Sequence, residues 1–274
     1  MSIVFDRAVE FYDQTRAVPS QILDKAFDAL IRETGITHES RVLEIGIGTG
    51  RIALPLSERI GRVFGVDLSL GMMSVLQNKM RAGHGNVLLA QADVLHLPFP
   101  TKTFDLIYAV HVLHLVMGWQ AAVTESWRTL KPDGRFVANY HRRGPDMPNV
   151  VLRKELHKLV EPYGVSTKRP GAQSEEEIYE ELSKWDPNLR VIDVTDWTEP
   201  DTPNNVLWEI ENQIHSETWS IPRDVLAQVM PQLRAWAIAN YGNLDQTYDA
   251  AYSFRWLIAQ KNDDKNRRHS SQNI

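Results

Sequence analysis

The run Val42-Leu43-Glu44-Ile45-Gly46-Ile47-Gly48-Thr49-Gly50 constrains this chain more than any other segment. Together with the residue before it, its start, Arg41 to Ile45, is a short, mostly apolar stretch that reads as a buried strand. That strand feeds directly into a turn with glycine at every second position. Glycine tolerates φ > 0 and lets a ligand approach the backbone closely. The next segment, Ile52 to Ile60, is spaced as a helix, and the first N–H groups of a helix have no partner within it. Pro55 lies in the first turn of that helix, where its missing N–H costs little.

The alternation continues beyond the turn. Apolar residues Ile22, Leu23, Ala26, Phe27, Leu30 and Ile31 precede it with the spacing of one helical stripe. After it come a second strand, Val63 to Val66, ending at Asp67, and a helix running to about Arg81 with Ser69 as its N-cap. A third strand spans Asn86 to Gln91 and a fourth Phe104 to Val110. A helix over Trp119 to Leu130 and the turn Lys131-Pro132-Asp133-Gly134 lead to a fifth strand, Arg135 to Tyr140. Strands alternating with helices in this way predict a parallel sheet with helices on both faces.

Later the pattern loosens. Helices are expected over Val150 to Val160, Glu175 to Trp185, Asn204 to His215 and Arg223 to Tyr241. A strand is expected over Leu189 to Trp197; Ala250 to Ala259 reads as a last strand or another helix, with strand favoured because Tyr252, Phe254 and Trp256 alternate. Composition marks the same division: eleven of fifteen glycines fall between Gly35 and Gly134, and six of eight tryptophans follow residue 140.

Two carboxylates stand at successive strand ends behind the glycine turn. Asp67 can accept both hydroxyls of a ribose, and Asp93 can accept from an adenine amino group. Each can equally be a turn residue or helix cap. In open α/β sheets the carboxyl ends of the strands are where ligands bind. The glycine spacing is G-x-G-x-G rather than G-x-G-x-x-G, so it argues for a cofactor with adenosine and no pyrophosphate.

These residues resemble the class I S-adenosylmethionine-dependent methyltransferases, most closely the branch related to the ubiquinone/menaquinone C-methyltransferases. The similarity is carried by Glu44–Gly50, Gly65-Val66-Asp67-Leu68-Ser69, Gln91-Ala92-Asp93 with Leu97-Pro98-Phe99, Phe104-Asp105-Leu106-Ile107 and Leu130-Lys131-Pro132-Asp133-Gly134, in that order over residues 40–140. It implies an α/β fold, a Rossmann-like seven-stranded mostly parallel sheet with helices on both faces. It also implies S-adenosyl-L-methionine as cofactor, with S-adenosyl-L-homocysteine as product. Gly46 and Gly48 would lie by the methionine part, Asp67 by the ribose, and Leu68, Asp93 and Val94 by the adenine, with Glu44 and Met72 also among the cofactor-binding residues. Val110 and His111 would face the sulfonium. Tyr12-Asp13-Gln14-Thr15-Arg16 resembles a segment that closes over the cofactor, with Tyr12 and Arg16 contacting the methionine moiety.

The resemblance implies a closing segment (1–39), the cofactor-binding core (40–141) and the rest of the sheet with helical cap insertions at 142–173 and 200–243; the polar, aperiodic end of the chain reads as a disordered tail (261–274). Trp208, Trp219 and Trp236 are expected to line an apolar pocket or to pack the cap. The implied reaction is methyl transfer to an O, N or C nucleophile of a small molecule, aromatic or lipophilic. Candidate bases are His114 and His111, then His141 and His215. A NAD-dependent oxidoreductase and a non-catalytic S-adenosylmethionine-binding module stay open as alternatives.

Several classes are excluded or disfavoured. The chain has no cysteine, so thiolate metal sites and a cysteine nucleophile are ruled out. His111 and His114 have no local carboxylate to complete a metal site, and none is expected. A net charge of −5 gives no electrostatic reason for nucleic acid as partner. The longest apolar run, Leu106 to Met117, is too short and too polar to span a membrane. A cytoplasmic protein is expected.

Overall fold

The computed structural model describes residues 5–140 and 142–262. In chain order the elements are α1 (Tyr12–Thr15), α2 (Ser20–Thr34), β1 (Val42–Ile45), α3 (Ala53–Ile60), β2 (Val63–Asp67), α4 (Leu70–Arg81), β3 (Val87–Gln91), β4 (Phe104–Val110), α5 (Trp119–Thr129) and β5 (Leu130–Asn139). There follow β6 (Arg142–Arg143), α6 (Pro148–Val160), α7 (Glu175–Ser183), β7 (Arg190–Asp201), α8 (Pro203–Glu211), α9 (Arg223–Tyr241) and β8 (Tyr248–Gln260). The described residues divide into two compact units. The first holds 5–140, 170–195 and 255–262, and the second 142–169 and 196–254.

In the first unit the strands run in the order β3-β2-β1-β4-β5-β8. The first five are mutually parallel, and β8 joins β5 antiparallel through Leu257–Gln260. Successive residues of a strand point to opposite faces. Leu43, Ile45, Ile107, Ala109, Phe136 and Ala138 join one core with residues of α5 and α7. Their neighbours Val42, Leu106, Tyr108 and Val137 are equally buried, so both faces of the central strands are covered. The indole of Trp256 on β8 donates to the Ala26 carbonyl of α2 at 2.9 Å. Ser69 caps α4 by accepting from Met72 N–H at 3.0 Å.

Three expectations are amended. Among the described residues eight strands form rather than seven, the two-residue β6 pairing with β8 opposite Ser253 and Tyr252. The turn at Lys131–Gly134 survives as an irregularity within β5: the ladder partner jumps from Leu130 to Arg135, and Asp133 sits at φ +63°. Its backbone is taken up by Lys261, which accepts from Asp133 N–H at 2.7 Å and donates to the Gly134 carbonyl at 2.8 Å. Lys261 therefore belongs to the fold, and residues 263–274 of the expected tail lie outside the described residues. The helix expected to reach His215 ends at Glu211. Gln213, at φ +50°, instead spends its side-chain amide on the carbonyls of Thr218 and Ile221.

The second unit has a core of its own, formed where α6, α8 and α9 pack through Leu152, Leu156, Val160, Val206, Ile210, Val229 and Leu233.

Candidate active site

The glycine turn is built by the sheet beneath it. Gly46 and Ile47 donate their N–H groups to the Val66 carbonyl at 2.9 and 3.0 Å, which ties the turn to the end of β2. Gly46, Gly48 and Gly50 all have φ between +55° and +76°. A Cβ on Gly46 would lie 2.3 Å from a Val112 methyl, so this position requires glycine for space as well as conformation.

Asp67 closes the arrangement. One carboxylate oxygen accepts from Gly48 N–H at 2.8 Å, the other from Ser69 N–H at 2.8 Å. Burial pushes its pKa up, against the opposing pull of the N–H groups of Ser69, Gly48 and Leu68. An ionised carboxylate offers about four lone-pair sites. Each oxygen therefore keeps capacity for a further donor, such as a ribose hydroxyl.

Glu44 lies beneath the turn and does not line the cleft, which corrects its expected place beside the cofactor. It is 2 % exposed. Tyr108 O–H donates to it at 2.9 Å, and the N–H of Ala53, at the start of α3, points at it as well. Burial dominates these bonds and the charge of Arg51, and the carboxyl pKa is raised to about 8. At neutral pH this side chain is an acid, supporting the turn from below.

The cleft over these strand ends encloses about 610 Å³ including its open mouth. Gly46, Gly48 and Asp67 form its polar side. Leu68, Met72 and Val94 form one apolar wall, and Val110, Val112, Leu115 and Val116 another. His111 lies between the second wall and the turn, and Phe5 and Tyr12 come from the N-terminal segment. Those two rings meet edge to face at 5.6 Å. Sequence reasoning missed Phe5, Val112, Leu115 and Val116. The apolar run from Leu106 to Met117 was the available signal for the last three.

The N-terminal segment is held on the turn by polar contacts. Thr49 O–H donates to Asp13 at 2.6 Å, and Lys79 pairs with the other oxygen of Asp13 at 2.7 Å. Ser69 O–H donates to Asp6 at 2.5 Å. Arg51 donates to the Arg16 carbonyl through one terminal nitrogen and lies 3.2 Å from His111 Nδ1 through the other. Arginine has only donors, so His111 Nδ1 carries its lone pair and Nε2 carries the proton. His111 itself sits at φ +54°.

Other expected site residues fall elsewhere. Arg16, Asp93 and His114 are not part of the cleft lining. Asp93 accepts from Leu95 N–H at 2.9 Å, the turn role that was its alternative. The His114 ring meets Tyr140 edge to face at 6.0 Å, and its carbonyl accepts from Gly171 N–H. His141 lies outside the described residues. His215, in the second unit, is bonded to Glu209 at 3.0 Å. The three tryptophans do not gather into a pocket wall. Trp208 is 53 % exposed, Trp219 donates to the Gln213 carbonyl, and Trp236 packs on the helical core. Among the described residues no group of three or more His, Asp or Glu side chains is placed to hold a metal ion.

The ordered strand ends, the glycine turn and the carboxylate across it have a counterpart among known families. A methyltransferase domain family matches residues 43–138. Residues 43–138 of this chain thus carry a domain similar to that methyltransferase family. The chain is 32% identical over 137 residues to the ubiquinone/menaquinone biosynthesis C-methyltransferase UbiE of Syntrophotalea carbinolica, covering 49% of this chain and 58% of that protein. To the uncharacterized methyltransferase YcgJ of Bacillus subtilis it is 31% identical over 165 residues, 57% of this chain and 64% of the relative. The crystal structure of that methyltransferase shares the fold with a TM-score of 0.57 at 24% identity, over 85% of this chain and 97% of the other. The chain thus spans under two thirds of the length of both curated relatives.

Proposed function

We propose that this chain transfers the methyl group of S-adenosylmethionine to an O, N or C nucleophile of a small aromatic or lipophilic molecule. The observation that carries the reading is Asp67, bridging the glycine turn and the start of α4 while lining the cleft. Its residual acceptor capacity matches ribose hydroxyls. The Leu68, Met72 and Val94 wall matches a flat apolar base, and the bare backbone of Gly46 and Gly48 admits a ligand chain. When bound, the cofactor supplies an activated methyl on a sulfonium, so the protein's work is orientation and exclusion of water.

The chain's own residues divide that work. The Val110, Val112, Leu115 and Val116 wall keeps water from the side of the cleft next to the turn. Phe5 and Tyr12 cover it from the N-terminal segment. His111, protonated at Nε2 and held by Arg51, acts as a donor that orients an oxygen or nitrogen lone pair rather than as the base. His114 stays a candidate base, with its ring against Tyr140 rather than in the lining of the cleft. The lipophilic acceptor is supported by these apolar walls and by relatives named for quinone methylation.

Calorimetry tests the cofactor. S-adenosylhomocysteine is expected to bind and NAD(H) not to bind, with binding lost in Asp67→Ala. Incubation with methyl-labelled cofactor and a panel of hydroquinones, phenols and amines tests the reaction. Preference for NAD(H), or cofactor binding without methylation of any of these acceptors, would count against the reading.

A further inference from the structure

The second unit contains a buried ionic cluster that the methyl-transfer reading does not use. Arg153, with its side chain 10% exposed, pairs with Glu209 at 2.9 Å and with Glu217 more closely. Glu209 also holds His215. Both carboxylates are thus committed to Arg153, and Glu217 is driven down to about pKa 2 by the cations around it, against its own burial.

A second arginine stands beside this cluster without such a partner. Arg143 on β6 lies directly opposite Tyr252 on β8, so the two side chains are cross-strand neighbours on one face. Among the described residues Arg143 makes no hydrogen bond or ion pair, and its Nε is enclosed with nothing to accept its proton. Asn149 reaches the Tyr252 hydroxyl at 3.4 Å, and its own carbonyl oxygen is likewise enclosed and unpartnered. The Tyr252 ring stacks on Trp197 at 5.3 Å and 19°.

Glu217 and Glu209 offset the charge of Arg143 at a distance, but distance does not satisfy N–H donors. A guanidinium has five donors in a planar fork that matches a bidentate oxyanion. The Arg143 side chain is half-buried, and its enclosed Nε–H donor is costly to leave unpaired.

We propose that Arg143, with Tyr252 and Asn149 beside it, binds the oxyanion of a small molecule, a carboxylate or phosphate, on a site within the second unit. The Asn149 carbonyl takes a hydroxyl or amine proton from the same ligand. This assignment is independent of the methyl-transfer reading and is tested without the cofactor.

The test uses the full chain with inorganic phosphate and, separately, lactate, each against chloride at equal ionic strength. The readouts are thermal unfolding and the Arg143 side-chain Nε–H resonance, assigned by its loss in Arg143→Lys. At least one of the two anions is expected to raise the unfolding temperature saturably and to move that resonance, and the anion that does so names the chemistry. Arg143→Lys is expected to weaken binding by about tenfold or more, because the fork is lost while the charge is kept. Arg143→Met is expected to abolish the response and to leave the unliganded chain no less stable. A saturable response to neither anion beyond chloride, or one that persists in Arg143→Met, overturns the proposal. So does a marked loss of stability in Arg143→Met without ligand, since it would show that the side chain serves the fold alone.

Discussion

Replacing Glu44 with Gln isolates the energetic consequence of the acid buried under the glycine turn. The folded chain holds this carboxyl at about pKa 8 against an ordinary 4.5, chiefly because burial disfavours its charge. Between those two pH values the folded chain keeps a proton that the unfolded chain has released, so stability falls as pH rises across that window and is level above it. At about 1.4 kcal/mol for each tenfold step in acidity, the full window amounts to about 5 kcal/mol. That is comparable with the whole net stability of many domains. Gln has the shape of the neutral acid and no titration. The variant is therefore expected to match the wild type near pH 5 and to exceed it increasingly up to pH 8, after which the gap is constant. Urea unfolding from pH 5 to 9 measures the gap directly. Asp67 and Asp201 act in the same direction but are present in both proteins, so the difference curve reports Glu44 alone. Parallel curves for the two proteins from pH 5 to 9 would refute the argument that the turn rests on a neutral acid.

Other perturbations have expected outcomes. Asp67→Asn is expected to weaken S-adenosylhomocysteine binding roughly ten- to a hundredfold by calorimetry, since an amide cannot accept at both ends from Gly48 and Ser69 and still receive a ribose. Gly46→Ala forces a Cβ into Val112 and a strained φ, and should cost roughly 1–3 kcal/mol in denaturant unfolding while narrowing the cleft. Ser69→Ala removes the α4 cap and the tie to Asp6, for a loss of about 1 kcal/mol and faster proteolysis of the N-terminal segment. Glu217 behaves oppositely to Glu44: its lowered pKa gives stability above pH 4.5 that is lost as pH falls towards 2. Glu217→Gln should flatten the acid limb of the unfolding profile and destabilise at neutral pH by about 3 kcal/mol.

Much of the first unit was legible because its signals are local. A buried strand, a glycine turn and a capped helix are each written in fewer than ten residues, and Ser69 caps α4 as its position before Leu70-Gly71-Met72 indicates. Asp67 was legible for the same reason. Glu44 was misplaced because sequence shows its position on a strand but not which face it takes, and here it turns down towards Tyr108. His111 was named, but its tautomer depends on Arg51, 60 residues away in the chain. The tryptophans were left open between a pocket wall and cap packing because aromatic content alone does not separate the two. The ionic cluster of the second unit was invisible, since its members come from β6, α6, α8 and the segment after it, and no short pattern links them.

The two units are interleaved along the chain, and this sets an order for synthesis. The five parallel strands and the glycine turn are complete once residue 140 has been made. Helix α6 emerges next, yet among the described residues the apolar face of Leu152, Leu156 and Val160 joins a core whose other buried members come later, from Val206 to Ala237. During the intervening stretch the ribosome delivers α7 and β7, and α6 waits uncovered. Domains fold largely as they emerge, N-terminal parts first. While the chain grows from residue 160 to 237, the apolar face of α6 is therefore unburied, and a chaperone that recognises amphipathic helices has a face to hold.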